Sequence, residues 1–342
     1  MIDYRDLTFD ELQEYLIKIG EKKFRANQIF QWIHRGVQEF REMTDLSIAL
    51  REKLESKGYT NNMEIETKKE SASDGTIKYL MHLLDGNLIE CVLMRYSYGN
   101  SICISTQAGC SMGCSFCAST IGGKNRDLTA GEMIGQILKV QRDAGAKISN
   151  VVLMGTGEPL DNMKNVLRFF DILNHPEGIN IGMRHITLST CGLVPEIISL
   201  ADKNLQITLA ISLHAPNNEI RKKLMPIAVK YSYDELISAC KYYVKRTNRR
   251  ITFEYALIHG VNDREEHARE LSLKLKDLLC HVNLIPINKV KERAYEKSLK
   301  SNIEAFKEIL LKNGIQATVR RELGSDIDAA CGQLRRSYTT AN

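Results

Sequence analysis

Cys110, Cys114 and Cys117 form the pattern Cys-x3-Cys-x2-Cys inside a Gly- and Ser-rich stretch. Three thiolates from one loop can hold three corners of a [4Fe–4S] cubane, whereas protein clusters usually take four. The fourth iron is then open to another ligand. Zinc is the rival occupant, because three cysteines can bind it together with a distant donor. No nearby His and no second Cys-x-x-Cys pair completes a zinc set, so the cluster is the favoured reading. A second polar motif, Gly155-Thr156-Gly157-Glu158-Pro159, follows an apolar run. Alone, it reads as a glycine turn with a Glu helix cap.

These motifs need elements to position them. From about residue 101 the chain alternates apolar runs with amphipathic stretches. Strands are expected at 101–106, 150–155, 184–190, 206–212, 250–258 and 281–287, with helices between. That alternation implies a parallel sheet in an α/β fold, and six repeats suit a partial (β/α)6 barrel. A helix at 301–313 and a strand at 316–321 follow. The polar signatures fall at the C-terminal ends of the strands, where parallel α/β folds bind ligands. Residues 1–60 read as a small helical domain with helices at 9–19, 24–35 and 46–57. Residues 61–95 read as a β-hairpin extension, with Asp85-Gly86 at its turn. The barrel core is expected over 96–322 and a tail over 323–342.

Composition narrows the class. The chain has 342 residues, 43% of them hydrophobic and 26% charged, which excludes disorder and fibrous architectures. No apolar run approaches the ~20 residues of a membrane span, and the acidic N-terminus has no secretory h-region, so a cytoplasmic protein is expected. The nine cysteines, an odd number, argue against a disulfide framework. Cys240 and Cys280 read as buried hydrophobes. Residues 221–250 concentrate nine Lys and Arg with four interleaved Tyr against Asp234 and Glu235. Such a segment suits a phosphate backbone with exposed bases, or else a solvated helix face.

With its following GTGEP motif, the Cys-x3-Cys-x2-Cys loop resembles the radical S-adenosylmethionine (radical SAM) superfamily. The likeness narrows to the bacterial RNA adenine-C2 methyltransferases acting on 23S rRNA and tRNA. It covers nearly the whole chain: IECV (89–92), CISTQAGC (103–110), GEPLDN (157–162), SLHAPNNEIRKKLMPI (212–227), HVNLIPIN (281–288) and DIDAACGQL (326–334). The resemblance implies one [4Fe–4S] cluster on Cys110, Cys114 and Cys117, with two molecules of S-adenosylmethionine consumed per turnover. Gly157 and Glu158 match the methionine-binding pair. Ser189, Ser212, Leu213, His214 and Asn288 match the remaining cofactor contacts, offering neutral donors and acceptors to ribose and adenine. Cys331 matches the methyl-carrying cysteine. Cys103 matches the resolving thiol that forms a transient disulfide with it. Glu90 matches the proton acceptor.

The implied chemistry explains the two thiols. Adenine C2 is too poor a nucleophile to attack a sulfonium methyl, whereas a thiolate can. Cys331 would take the methyl, link to C2 through that carbon, and be released by Cys103. The expected substrates are an adenosine of 23S rRNA in the peptidyl-transferase centre and one of tRNA beside the anticodon. The target base must be single-stranded or flipped to be reached. Expected partners also include an electron donor such as flavodoxin or ferredoxin, and the chain is expected to be a monomer. The basic stretch at 221–250 and Lys22, Lys23, Arg25 and Arg35 are the candidate RNA contacts. The chain departs from the family pattern at Lys289 (usually proline), Cys191 (usually not cysteine) and Thr156 (commonly methionine). Two alternatives remain: the sister methyltransferases acting on adenine C8, which confer antibiotic resistance, and a non-catalytic metal-stabilised RNA-binding module. Pro159 and Pro286 look more like the C2 enzymes.

Overall fold

The computed structural model describes residues 1–288, 290 and 292–334. The N-terminal region holds β1 (Ile2–Asp3), α1 (Phe9–Lys18), α2 (Arg25–His34), α3 (Ile48–Glu55) and β2 (Gly58–Tyr59). Thr8 and Glu11 close a capping box at the start of α1, satisfying backbone N–H groups that the helix itself leaves unpaired. Apolar residues at helical spacing, including Leu12, Leu16, Ile29, Phe30 and Ile33, are fully buried.

Three antiparallel strands follow: β3 (Met63–Glu70), β4 (Ile77–Leu83) and β5 (Leu88–Tyr96). Next come β6 (Gly99–Cys103) and a ribbon of β7 (Gln107–Gly109) with β8 (Lys124–Asp127). The Cys110–Cys117 loop lies between the two ribbon strands. The repeating part then runs α4 (Ala130–Ala144), β9 (Ile148–Leu153), α5 (Met163–Asn174), β10 (Ile186–Thr190), α6 (Val194–Asp202) and β11 (Thr208–Ser212). It continues with α7 (Asn218–Leu224), α8 (Ile227–Lys230), α9 (Tyr233–Thr247), β12 (Ile251–Leu257), α10 (Glu265–Leu275), β13 (Cys280–Pro286), α11 (Lys300–Lys312) and β14 (Ala317–Val319).

One ten-stranded sheet has the order β14-β13-β12-β11-β10-β9-β6-β5-β4-β3. From β6 onward its strands are parallel, joined by crossover helices on the outer face. Capping boxes at Thr129/Glu132 and Ser232/Glu235 start α4 and α9, and left-handed Gly145 and Asn248 end them. The strands expected from sequence all form, with ends shifted by a few residues.

The 61–95 segment, expected as an extension, shares this sheet. Antiparallel pairing from Val92↔Cys103 to Tyr96↔Gly99 joins it to the barrel edge. Gly99 makes the turn possible: its φ is 127°, and a Cβ there would come 2.8 Å from Ser149 Oγ. The register sorts β5 by face. Ile89, Cys91 and Leu93 enter the main core, while Val92 and Met94 join Cys103, Leu323, Ala329 and Leu334 in a separate apolar cluster. The N-terminal region docks on α4 and α5: Asp6 accepts a hydrogen bond from Gly131 N of α4 at 2.8 Å, and Arg168 of α5 binds Glu11.

Candidate active site

The C-terminal ends of the parallel strands open into a cavity of about 1040 Å³ of empty space, continuous with solvent. Cys110, Cys114 and Cys117 line one side, with Gly157 and Glu158 from the β9 exit. Ser189, Ser212, His214 and Asn288 come from the β10, β11 and β13 exits. Leu213 does not line it: it points the other way and is fully buried in the core, as alternation along an extended segment requires.

The cysteine loop is held from several sides. Ser115 N and Oγ donate to Leu224 O at 2.9 and 3.2 Å, and Tyr295 meets Ser115 Oγ at 2.8 Å. Thr120 Oγ1 donates to Cys117 O at 3.0 Å, and Arg293 Nη2 donates to Thr120 Oγ1 at 3.0 Å. Cys110 and Cys114 are buried and Cys117 half-buried. Burial pushes all three thiols up, Cys110 to about 12. They therefore carry protons unless a metal's positive charge removes them. Among the described residues no three His, Cys, Asp or Glu converge on a single-ion site. Corners of a cubane sit on separate irons, so its thiolates stand wider apart than the ligands of one ion. Three soft donors along one cavity wall fit that cluster.

Glu158 is buried, and its carboxylate accepts N–H bonds from Cys191 at 2.7 Å and Leu160 at 3.1 Å. Burial raises its pKa, while the bond from Cys191 N opposes the shift. Gly157 has φ 115°, and a Cβ there would come 2.7 Å from Gln107 Cβ, so the backbone approach needs glycine. Cys191 lines the cavity beside these groups. Burial drives its thiol well above the usual range. Thr156 is buried behind the loop.

His214 takes a left-handed conformation, φ 54°. Its Nδ1 accepts from Ala256 N at 2.9 Å. Burial lowers its pKa to about 3, with Arg221 adding to the effect. The ring is thus neutral and carries its proton on Nε2, a single donor.

A second cavity, about 590 Å³ of empty space, adjoins the first. Cys103 lines only the second, whereas Cys331, Asn288, Arg320, Met154 and Leu334 line both. Cys331 is exposed at that seam. Its segment, part of the tail expected over 323–342, is tied down. Gly332 O accepts from Ala118 N at 2.8 Å, Leu334 O from Ser119 Oγ at 2.8 Å and Cys331 O from Asn288 Nδ2 at 3.2 Å. Two of those donors belong to the cysteine loop.

Burial pushes the Cys103 thiol up to about 12, and the Cys331 charge adds to it. Surrounding protein raises Cys331 too, and the Arg320 guanidinium opposes both shifts. Burial would lower Arg320 itself, but Cys331, Glu254 and Cys103 outweigh that and hold it charged. Arg320 Nη1 lies 3.8 Å from Glu254, which also accepts from Asn283 at 2.9 Å. Sequence reading missed Arg320 and Glu254, since an Arg after a short strand and a Glu inside one carry no local signal.

Glu90 lines neither cavity. It shares the β5 face of Val92 and Met94, and Val92 and Met94 do line the second. Its side chain is 1% exposed and pairs with Lys78 Nζ at 2.9 Å. The basic stretch divides. Arg221 is fully buried and donates to Cys191 O, Arg249 donates to Ile207 O, and Arg246 pairs with Asp202. Arg250 precedes β12, whereas Ala256 near its other end lines the cavity. At ~3.3 Å per residue, that puts Arg249 and Arg250 about 20 Å from the cavity mouth. In the N-terminal region Lys22, Lys23 and Arg35 are exposed, with Arg35 over the Trp32 ring and Arg25 over Phe24. Lys289 lies outside the described residues.

A parallel α/β barrel with a three-cysteine loop at its mouth and a GxGE turn beside it defines a radical SAM fold, and the radical SAM superfamily matches residues 104–271. The ribosomal RNA large subunit methyltransferase N-terminal domain matches residues 2–59. A probable dual-specificity RNA methyltransferase RlmN of Clostridium novyi is 57% identical over 98% of both chains. That of Alkaliphilus oremlandii is 58% identical, again over 98% of both. The crystal structure of a radical SAM methyltransferase from Sphaerobacter thermophilus superimposes with a TM-score of 0.95 at 44% identity, covering 98% of this chain and 100% of that one. The chain belongs to the RlmN family of dual-specificity radical SAM RNA methyltransferases.

Proposed function

We propose that this protein methylates C2 of an adenosine in 23S rRNA and in tRNA, with Cys331 as the carrier of the methyl carbon. The observation that supports it best is the place of Cys331, at the seam of the three-cysteine cavity and the Cys103 cavity. When bound, the [4Fe–4S] cluster on Cys110, Cys114 and Cys117 and two molecules of S-adenosylmethionine supply a methyl group, a hydrogen-abstracting radical and one-electron chemistry. Glu158 and the Gly157 backbone would hold the amino-acid end of the cofactor. Ser189, Ser212, His214 and Asn288 would meet its ribose and adenine, with His214 donating from Nε2.

The chain's own groups then act in order. The Cys331 thiolate accepts the methyl and becomes a thioether. Once that carbon is bonded to C2, RNA and enzyme are one molecule. The Glu90 carboxylate removes the C2 proton. The Cys103 thiolate attacks the Cys331 sulfur; an S–S bond forms and the S–C bond breaks. The electron pair stays on the carbon, which takes up a proton and leaves as the methyl group. An electron donor such as flavodoxin or ferredoxin would supply the single electrons that the bound cluster needs, and a dithiol reductant, giving two electrons and two protons, would return the disulfide to two thiols. Arg320 stabilises whichever of the two thiolates is reacting. The 1–60 domain, with its exposed Lys and Arg beside aromatic rings, would grip RNA while the 96–322 barrel and the 323–342 tail carry out the chemistry. Among the described residues no helix is long and apolar enough to cross a membrane, and the protein would act as a cytoplasmic monomer.

Anaerobic turnover of the reconstituted enzyme with rRNA and tRNA fragments, followed by nucleoside mass spectrometry, tests this reading. It expects 2-methyladenosine from both substrates. Formation of 8-methyladenosine would assign the chain to the sister activity, and a colourless zinc-loaded protein without turnover would assign it to a binding module.

A further inference from the structure

Lys78 has no place in the scheme above, yet it is among the most deeply buried charges near the thiols. Its side chain is 4% exposed on β4. One ammonium group makes two contacts of different origin: Glu90 Oε1 at 2.9 Å on β5, and Asp328 O at 3.0 Å in the tail. Asp328 stands three residues before Cys331. The β5 register explains the first contact, since Lys78 opposes Val92 and reaches diagonally to Glu90. The second belongs to a wider docking of the tail on the β3–β4 turn. Gly324 N donates to Asp74 Oδ2 at 2.9 Å, and Gly324 lies so close to Thr76 that a Cβ would come 2.9 Å from Thr76 Cγ2.

A buried ion pair is a poor source of stability, because well-packed apolar residues in its place do as well or better. What such a pair does supply is a fixed position. We infer that Lys78 is a positioning residue that sets the proton-accepting carboxylate and the methyl-carrying tail in one register by holding Glu90 and the Asp328 carbonyl together. This rests on the roles given above to Glu90 and Cys331. With the tail docked, Lys78 holds the Glu90 carboxylate on the β5 face whose next residues, Val92 and Met94, line the second cavity.

The test compares Lys78→Met, Lys78→Arg and Glu90→Gln in the full-length, cluster-loaded enzyme with an RNA fragment. Lys78→Met should still acquire the methyl on Cys331, trap the covalent protein–RNA species as Glu90→Gln does, and turn over about tenfold to a hundredfold more slowly, the loss of one charge-assisted bond. Without RNA, amides 324–332 should exchange hydrogen faster in Lys78→Met than in the wild type. Lys78→Arg should restore both tail protection and release of RNA in part. A residue that served stability alone would lower the melting temperature without trapping RNA. Should Lys78→Met not fold, Lys78→Gln removes the charge, keeps a polar side chain and carries the same comparison. Normal turnover by Glu90→Gln would remove the proton-acceptor role itself. Trapping by Glu90→Gln beside untrapped, wild-type turnover in Lys78→Met would overturn the inference alone.

Discussion

The cysteine loop and the Cys331 tail both bring thiols to the barrel mouth, but they are built differently. The loop carries three cysteines within eight residues, anchored on the barrel through Leu224, Tyr295 and Arg293. The tail carries one cysteine, more than 200 residues from the loop in sequence. It is fixed by bonds to Lys78, to Asp74, to Asn288 and to the Ala118–Ser119 turn that follows Cys117. A cluster needs an unchanging cage, whereas in the proposed mechanism the tail thiol meets a methyl donor, an RNA base and a second thiol in turn and needs a seat it can shift within. Loss of a loop thiol should therefore be absolute, and loss of a tail anchor graded.

The sharpest way to break that contrast is Cys114→Ala. Removing one of three ligands should abolish formation of 5′-deoxyadenosine and the brown colour of anaerobically loaded protein. Cleavage of S-adenosylmethionine at the wild-type rate would show that the loop does not hold the cluster.

The two remaining thiols come next. Cys331→Ala should form neither methylated protein nor RNA adduct. Cys103→Ala should accumulate a covalent protein–RNA species, visible on a denaturing gel and absent from the double variant. A Cys103→Ala enzyme that turns over normally would end the two-thiol account and leave the cluster assignment standing.

A tail anchor should cost less. Asp74→Ala removes one side-chain acceptor of Gly324 N, worth about 1 kcal/mol of tail docking. Methyl transfer to Cys331 should slow by roughly fivefold, while 5′-deoxyadenosine formation is unchanged. Equal loss of both would mean that loop and tail are one rigid unit.

The smallest effects concern RNA and pH. Charge reversal at Lys22, Lys23 and Arg35 should weaken RNA binding and flatten its salt dependence. Reversal at Lys245 and Arg246, on the outer helix layer, should do less, and the opposite ranking would place the RNA on the far side of the barrel. His214 is lowered to about 3 in the folded protein from an ordinary 6.5. Its contribution to stability is present above about 6.5 and is lost as pH falls toward 3, since only the unfolded chain takes the proton there. Acid melts of His214→Gln should show a weaker pH dependence over that window.

Much of the site was legible because its chemistry is local. Cys110, Cys114, Cys117, Gly157 and Glu158 lie in two short segments, and the strand–helix alternation placed both at one end of a parallel sheet. The same periodicity gave the helices and nearly all strands. Basic residues were less legible: counting charge over 221–250 could not reveal that Arg221 is buried against Cys191 O or that Arg249 and Arg250 lie at the end of β12 away from the cavity. A charge in sequence has no direction until the helix carrying it is packed.

The amino-acid order by itself determined the strand–helix alternation of the barrel and the three-cysteine motif proposed to hold the cluster, since each depends on neighbours within one turn or one strand. Tertiary structure alone decided how Cys331 meets both cavities, why Leu213 turns away, how Arg320 and Glu254 come beside the thiols, and that Lys78 ties Glu90 to the tail. Those contacts join residues as much as 250 positions apart. Their geometry is set by strand register and by side chains filling a shared core, and neither leaves a local signal in the chain.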